Sequence, residues 1–178
     1  MRFNTIRKQG VLGALIALCS CAVANPWIEP PLRTAKGYPV PQPDTAIVLP
    51  AAHGAHPEFA IEWWYWVGHL EAVAGDESFG FQSTVFRLAG DPATDLSRGS
   101  SAEAFGDQQL FMSHAALTEI SQQRYRSVER VNREGWQARS ATGQLDLRAT
   151  PIRAHERADG LSFEMDFKLP DTTQVQLE

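Results

Sequence analysis

The sequence predicts an all-β fold, an antiparallel meander of short strands closing toward a barrel, on three observations. Seven short runs of strand-forming residues follow one another at hairpin spacing, the mature region carries no convincing 3.6-residue apolar period, and Gly, Pro and Asp mark the borders between runs. A chain of this length can build one core of its own.

The first 24 residues read as a targeting segment rather than as part of the fold. Arg2, Arg7 and Lys8 form a basic start, residues 11–18 an apolar stretch, and Ala22-Val23-Ala24 a small-residue cleavage signature. The apolar stretch is too short to cross a bilayer, which takes roughly 20 residues, and no later segment approaches that length. Two processing routes stay open: clean export after Ala24, or lipoprotein processing before Cys21, because Leu18-Cys19-Ser20-Cys21 resembles a bacterial lipobox in which Cys21 would be acylated. Both routes place the protein outside the cytoplasm, periplasmic or secreted, and the lipoprotein route adds a lipid anchor at Cys21 as its one membrane attachment. Both cysteines belong to this segment, so a mature chain starting after Ala24 has no disulfide. Without residues 1–24 the chain carries 13 basic against 21 acidic residues, a net of −8, which makes nucleic acid a poor partner.

Residues 25–52 hold Pro26, Pro30, Pro31, Pro39, Pro41, Pro43 and Pro50, which remove backbone donors and disfavour both helix and central strand, so an extended leader is expected there. The first strand is residues 60–70. It contains Glu62-Trp63-Trp64-Tyr65-Trp66, with Ile61, Trp63, Tyr65 and Val67 on one face and Trp64, Trp66 and Leu70 on the other. Both faces are apolar, so the strand should be covered on two sides. Ala74-Gly75-Asp76 turns the chain into the second strand, residues 78–88. A polar Gly/Ser-rich stretch over 90–107 reads as a long loop. The third strand is 109–120, again apolar on two faces. The later strands, 124–131, 144–150, 161–169 and 172–177, are shorter or more polar, and 161–169 alternates cleanly, with Phe163, Met165 and Phe167 opposite Glu164, Asp166 and Lys168. The contrast implies that a second domain or a partner covers the outer surface of the first three strands.

Few groups stand out as chemistry. Glu62 lies among aromatics, where a carboxylate either pairs with a cation or is perturbed by desolvation. Arg87, near the end of the adjacent strand, is the natural partner, and the pair is read either as a structural clamp on sheet register or as a proton donor or ligand anchor. His114 projects from an apolar strand face, as a hydrogen-bonded structural histidine or as a second catalytic candidate. Trp63, Trp64 and Trp66 serve as core or as walls of an apolar ligand pocket, with Gln82, Thr84, Ser113 and Arg87 available to orient a ligand. His53 and His56 are spaced i, i+3 in a Gly/Pro loop without a third fixed ligand, so no metal and no other cofactor is assigned. The sequence has no Gly-x-Ser-x-Gly, no His-Glu-x-x-His and no phosphate-cradling glycine loop.

His56-Pro57 with Phe59, Glu62-Trp63-Trp64-Tyr65, Gly68-His69-Leu70, Phe79-Gly80-Phe81-Gln82 with Thr84, Phe86-Arg87, and Ser113-His114-Ala115-Ala116-Leu117-Thr118 together resemble the AttH/CrtC family. These are lipocalin-like secreted proteins that include carotenoid 1,2-hydratases. The resemblance spans about residues 53–125, and Glu119 departs from the aspartate the family favours. It implies two consecutive lipocalin-like β-barrel domains with apolar ligands held in or between them, of which residues 53–178 would be the first, cut off in mid-strand. In the hydratase members the acid that protonates the double bond lies in the second domain, so no catalytic residue carries over. Glu62, Trp64, Gln82, Arg87 and His114 fall on matched positions of the first domain. The expected function is binding of an apolar or amphipathic small molecule. The alternatives are a hydratase or isomerase acting on a carbon–carbon double bond, with Glu62 or His114 as acid, and an accessory module of a cell-envelope ABC transporter. Fold-level analogy does not choose among them.

Overall fold

Nine strands and one short 3-10 turn make up the regular structure of the described residues. The structure, a computed structural model, describes residues 29–90, 109–160 and 162–178. Contacts divide the chain into residues 1–30, of which Glu29 and Pro30 alone are described, and residues 31–178, which hold every element below. The targeting segment with Cys21 and the loop beyond Gly90 lie outside the described residues.

Strands β1 (Ile61–Glu71), β2 (Ser78–Leu88), β3 (Leu110–Glu119) and β4 (Arg124–Arg133) form one antiparallel meander in the order β1-β2-β3-β4. Strands β5 (Ala138–Ser140), β6 (Asp146–Ala149), β7 (Ile152–Glu156), β8 (Phe163–Lys168) and β9 (Gln174–Leu177) form a second, in the order β5-β6-β7-β8-β9. All-β antiparallel architecture is therefore what the alternating pattern dictated. The strand count rises from seven to nine because β5 and β7 carry little signal: β5 buries Ala138 alone, and β7 follows Pro151 and buries only Ile152 and Ala154 on its inner side. The strands pair as two sheets and not as one hydrogen-bonded ring. The edge strands β5 and β9, of three and four residues, offer too few backbone groups to close a ring against the ten of β4 and eleven of β1.

The sheets pack face to face over one apolar core. Val85, Phe111, Ala115, Leu117 and Val128 point inward from the first sheet, and Leu147, Ala149, Ile152, Ala154, Met165, Phe167 and Val175 meet them from the second. Trp64, Trp66, Leu70, Phe79 and Phe81 pack against its margin. Each fully buried large side chain contributes about 1.5–3 kcal/mol, so this layer supplies most of the drive to fold. Gly143 turns the chain between β5 and β6 at a φ of 76°, in the left-handed region that a side chain would strain.

Polar clips register the two sheets. Ser113 Oγ donates to the carbonyl of Thr150 at 2.7 Å, and Asn132 Nδ2 donates to the same carbonyl at 2.9 Å, so β3 and β4 hold the β6–β7 turn. At the far end Arg126 ion-pairs with buried Glu119 and donates to Asp171 at 2.5 Å and to Thr173 Oγ1 at 2.6 Å, which fastens β4 to the β8–β9 turn. The hydrogen bond from Arg126, and after it the one from Thr173, lowers the Asp171 pKa from 3.8 to about 2. A folded-state value below the unfolded one adds stability that is complete above the unfolded value and lost as pH falls through the folded value. In urea titrations the protein should therefore exceed the Asp171→Asn variant in midpoint at pH 5, with the gap closing between pH 3.8 and about 2.

Candidate functional site

Glu62 and Arg87 are direct cross-strand partners on the inner face of the first sheet. Arg87 is completely buried, and its guanidinium cannot shed its proton, so every N–H needs an acceptor. Nε donates to Glu62 Oε1 at 2.5 Å, Nη1 to Gln109 Oε1 at 2.9 Å, and Nη2 to the carbonyls of His56 and Phe59 at 2.9 and 2.8 Å. The Glu62 carboxylate also accepts the backbone N–H of His56, at 2.9 Å to Oε2, and lies 3.3 Å from His56 Nδ1. This cluster ties residues 53–59 to β1 and β2, and through Gln109 to the start of β3.

The same segment is pinned on its other side. Ala55 N–H donates to the Ala141 carbonyl at 2.7 Å, and a Cβ on Gly54 would meet backbone atoms of Gly143 and Gln144 at 2.6–2.9 Å. Glycine is required there because the β5–β6 turn passes directly against it. Residues 53–56 thus bridge the first sheet to the second.

Beside this bridge opens a cleft of about 340 Å³, lined by His53, His56, Glu62, Trp64, Trp66, Leu145 and Phe163. Trp64 and Trp66 come from the inner face of β1, and Phe163 from β8. Trp64 Nε1 donates to the His53 carbonyl at 3.1 Å, so its indole is oriented by the bridge. The His53 ring stands edge-on to Phe163 at a centroid distance of 4.8 Å, and its buried Nδ1 has no hydrogen-bond partner. The cleft therefore combines apolar walls with the polar side chains of His56 and Glu62 at its border, an arrangement suited to an amphipathic guest.

Of the residues singled out in the sequence, Glu62, Trp64 and Trp66 come together here, and Arg87 stands behind Glu62 as its clamp. Trp63 also borders the cleft, but its side chain belongs to the opposite face of β1, 55% exposed and tilted against Phe86 at 6.4 Å. Gln82 and Thr84 also lie on the outer face. Ser113 is spent on the inter-sheet clip. His114, on the outer face of β3, has Nε2 3.8 Å from the Glu129 carboxylate of β4, across the sheet from Glu62. Glu62 and His114 thus do not share a site. His53 and Phe163 escaped notice as a pair because they are distant in sequence; a Trp-rich strand following a His-containing loop was the available signal. Among the described residues no group of three or more His, Cys, Asp or Glu is arranged to hold a metal.

The AttH-like family profile matches residues 40–178, well over half of the chain. The chain belongs to the AttH-like family. A solved structure of a Nitrosomonas europaea protein described as an AttH candidate is 27% identical, with a TM-score of 0.54 over 71% of this chain and 35% of that one. The chain thus spans about a third of the length of that AttH-like protein. No curated protein matches significantly.

Two outcomes follow for this AttH-like chain. Glu62→Ala, which strands a buried guanidinium, should lower unfolding free energy by about 3–5 kcal/mol in urea titrations. Gly54→Ala should cost about 1–3 kcal/mol, because the obstructing atoms are backbone and cannot rotate away.

Proposed function

We propose that the protein is an exported lipocalin-like domain that binds an apolar or amphipathic small molecule in the cleft walled by Trp64, Trp66, Leu145 and Phe163. The observation that carries this reading is the pairing of aromatic walls with the polar side chains of His56 and Glu62 around one cleft. A volume of about 340 Å³ is at the lower end for small-molecule sites, so the cleft would take a compact ligand or one end of a longer chain. The two meander sheets packed over one core support the lipocalin-like description, and the basic-apolar-small pattern of residues 1–24 supports export, with Cys21 or Ala24 as the processing point.

Binding is preferred to hydration of a double bond because Glu62 accepts from the Arg87 guanidinium and from the His56 backbone N–H, which commits its oxygens as acceptors. An acid that protonates an alkene must instead present a proton to it. The partner reading, a second lipocalin-like domain or an envelope transporter component, draws on the outer face of the first sheet. Ile61, Trp63, Tyr65, Val67, Met112 and Val131 are exposed there, a larger apolar display than a free surface normally keeps.

Titration with the polyene fatty acid cis-parinaric acid should quench tryptophan fluorescence saturably. Trp64→Ala should weaken the apparent affinity by about tenfold, while Gln82→Ala, on the far face, leaves it unchanged. A flat titration of the folded protein would overturn the binding proposal.

A further inference from the structure

The outer face of the second sheet carries an arrangement that neither the core nor the cleft explains. Arg139 on β5, Arg148 on β6 and Arg153 on β7 are successive cross-strand partners, so three guanidinium side chains stand in one row. Neighbouring strands are only about 4.8 Å apart, and like charges directly opposite one another destabilise a sheet. A row of this kind calls for a counter-charge.

Of the nearby carboxylates, Glu156 borders the same ground with its Oε2 buried and without a hydrogen-bond partner, and makes no ion pair with the row, while two others are committed elsewhere. Asp146 accepts from Arg139 at 3.3 Å, and Glu164 lies 3.4 Å from His155 Nε2 and 3.3 Å from Arg157. Asp166, next in the row after Arg153, makes no ion pair with it within 4.0 Å. Among the described residues Arg148 and Arg153 thus face each other with no carboxylate on either. Arg148 Nε is also buried with no hydrogen-bond acceptor, and a buried unmade bond to a charged group is costly. Above the row lies an open concavity of about 440 Å³ bordered by Arg139, Arg148, Arg153 and His155 and by the carboxylates of Asp146 and Glu156, so its cations outnumber its anions by one with His155 neutral.

We propose that Arg148 and Arg153, flanked by Arg139, form a binding site for a compact phosphoryl oxyanion. Guanidinium groups present planar forks that match the oxygens of such an anion, and an oxyanion seated in the concavity would bring acceptor oxygens to the row. It would also relieve the Arg148–Arg153 repulsion. The arginine row is on the opposite face of the second sheet from the core, and the concavity meets the apolar cleft only at Leu145. The ligand of the row is either a free phosphoryl anion or a phosphorylated lipid headgroup, which offer the same oxygens.

The test uses the full chain in two arms at constant ionic strength. One is calorimetric titration with inorganic pyrophosphate; the other is co-sedimentation with phosphatidylcholine vesicles with and without phosphatidic acid. Saturable binding in the first arm identifies a free anion, and phosphatidate-dependent sedimentation a headgroup. In either arm Arg148→Gln and Arg153→Gln should weaken binding by about tenfold or more, whereas Arg130→Gln on β4 should not. Without ligand, both row variants should melt at or above the parent temperature, since each removes a like-charge contact. Absence of saturable binding in both arms, or binding that both row variants retain in full, would overturn the proposal.

Discussion

Burying one guanidinium organises much of this molecule. A charge removed from water is tolerated when its donors are matched, and Arg87 matches four of its five N–H groups, with a carboxylate on β1, an amide at the start of β3 and two carbonyls of the segment before β1. Matching them places residues 56–59 within a hydrogen bond of the sheet. The remainder of that segment is then held by Gly54 and Ala55 against the β5–β6 turn. One ion pair therefore sets the register of β1 on β2 and delivers His53 and His56 to the lip of the cleft.

The two sheets meet the solvent in opposite ways. On the second, inner residues are apolar and outer ones charged, as expected for a sheet with one wet face. On the first, Trp63, Tyr65 and Val67 lie outward while Trp64, Trp66 and Leu70 lie inward, so β1 is apolar on both sides. The inward set has its partners within the chain. The outward set forms a continuous apolar surface with Phe86, Met112 and Val131 across β2, β3 and β4, and supports the reading that another protein surface belongs there.

Strand periodicity was legible because it is local: side chains alternate with a period of two, and the four long or cleanly alternating segments, 60–70, 78–88, 109–120 and 161–169, declare their faces residue by residue. The Glu62–Arg87 pairing was legible as well, since a hairpin turn at residues 74–76 brings those two positions opposite one another. Strands β5 and β7 were not, because a run of three to five residues with one or two small inward side chains has no pattern to detect. Nor was the separation of Glu62 from His114, which depends on the pairing parity of β1 through β3 and not on either residue's own neighbourhood.

By itself the sequence determined the all-β antiparallel character, the two-faced apolar first sheet and the family, because each rests on residues close together in the chain. Only the tertiary structure decided which aromatics wall a cleft and which face outward from the first sheet, that His53 and Phe163 meet, and that Arg139, Arg148 and Arg153 stand in a row. Those are contacts between segments joined by turns and by the β4–β5 crossing between sheets. Their geometry follows from strand register and sheet packing, which no single stretch of residues encodes. The two-sheet arrangement in place of a closed ring belongs to the same category: it is settled by the short edge strands β5 and β9, whose few backbone groups end the pairing.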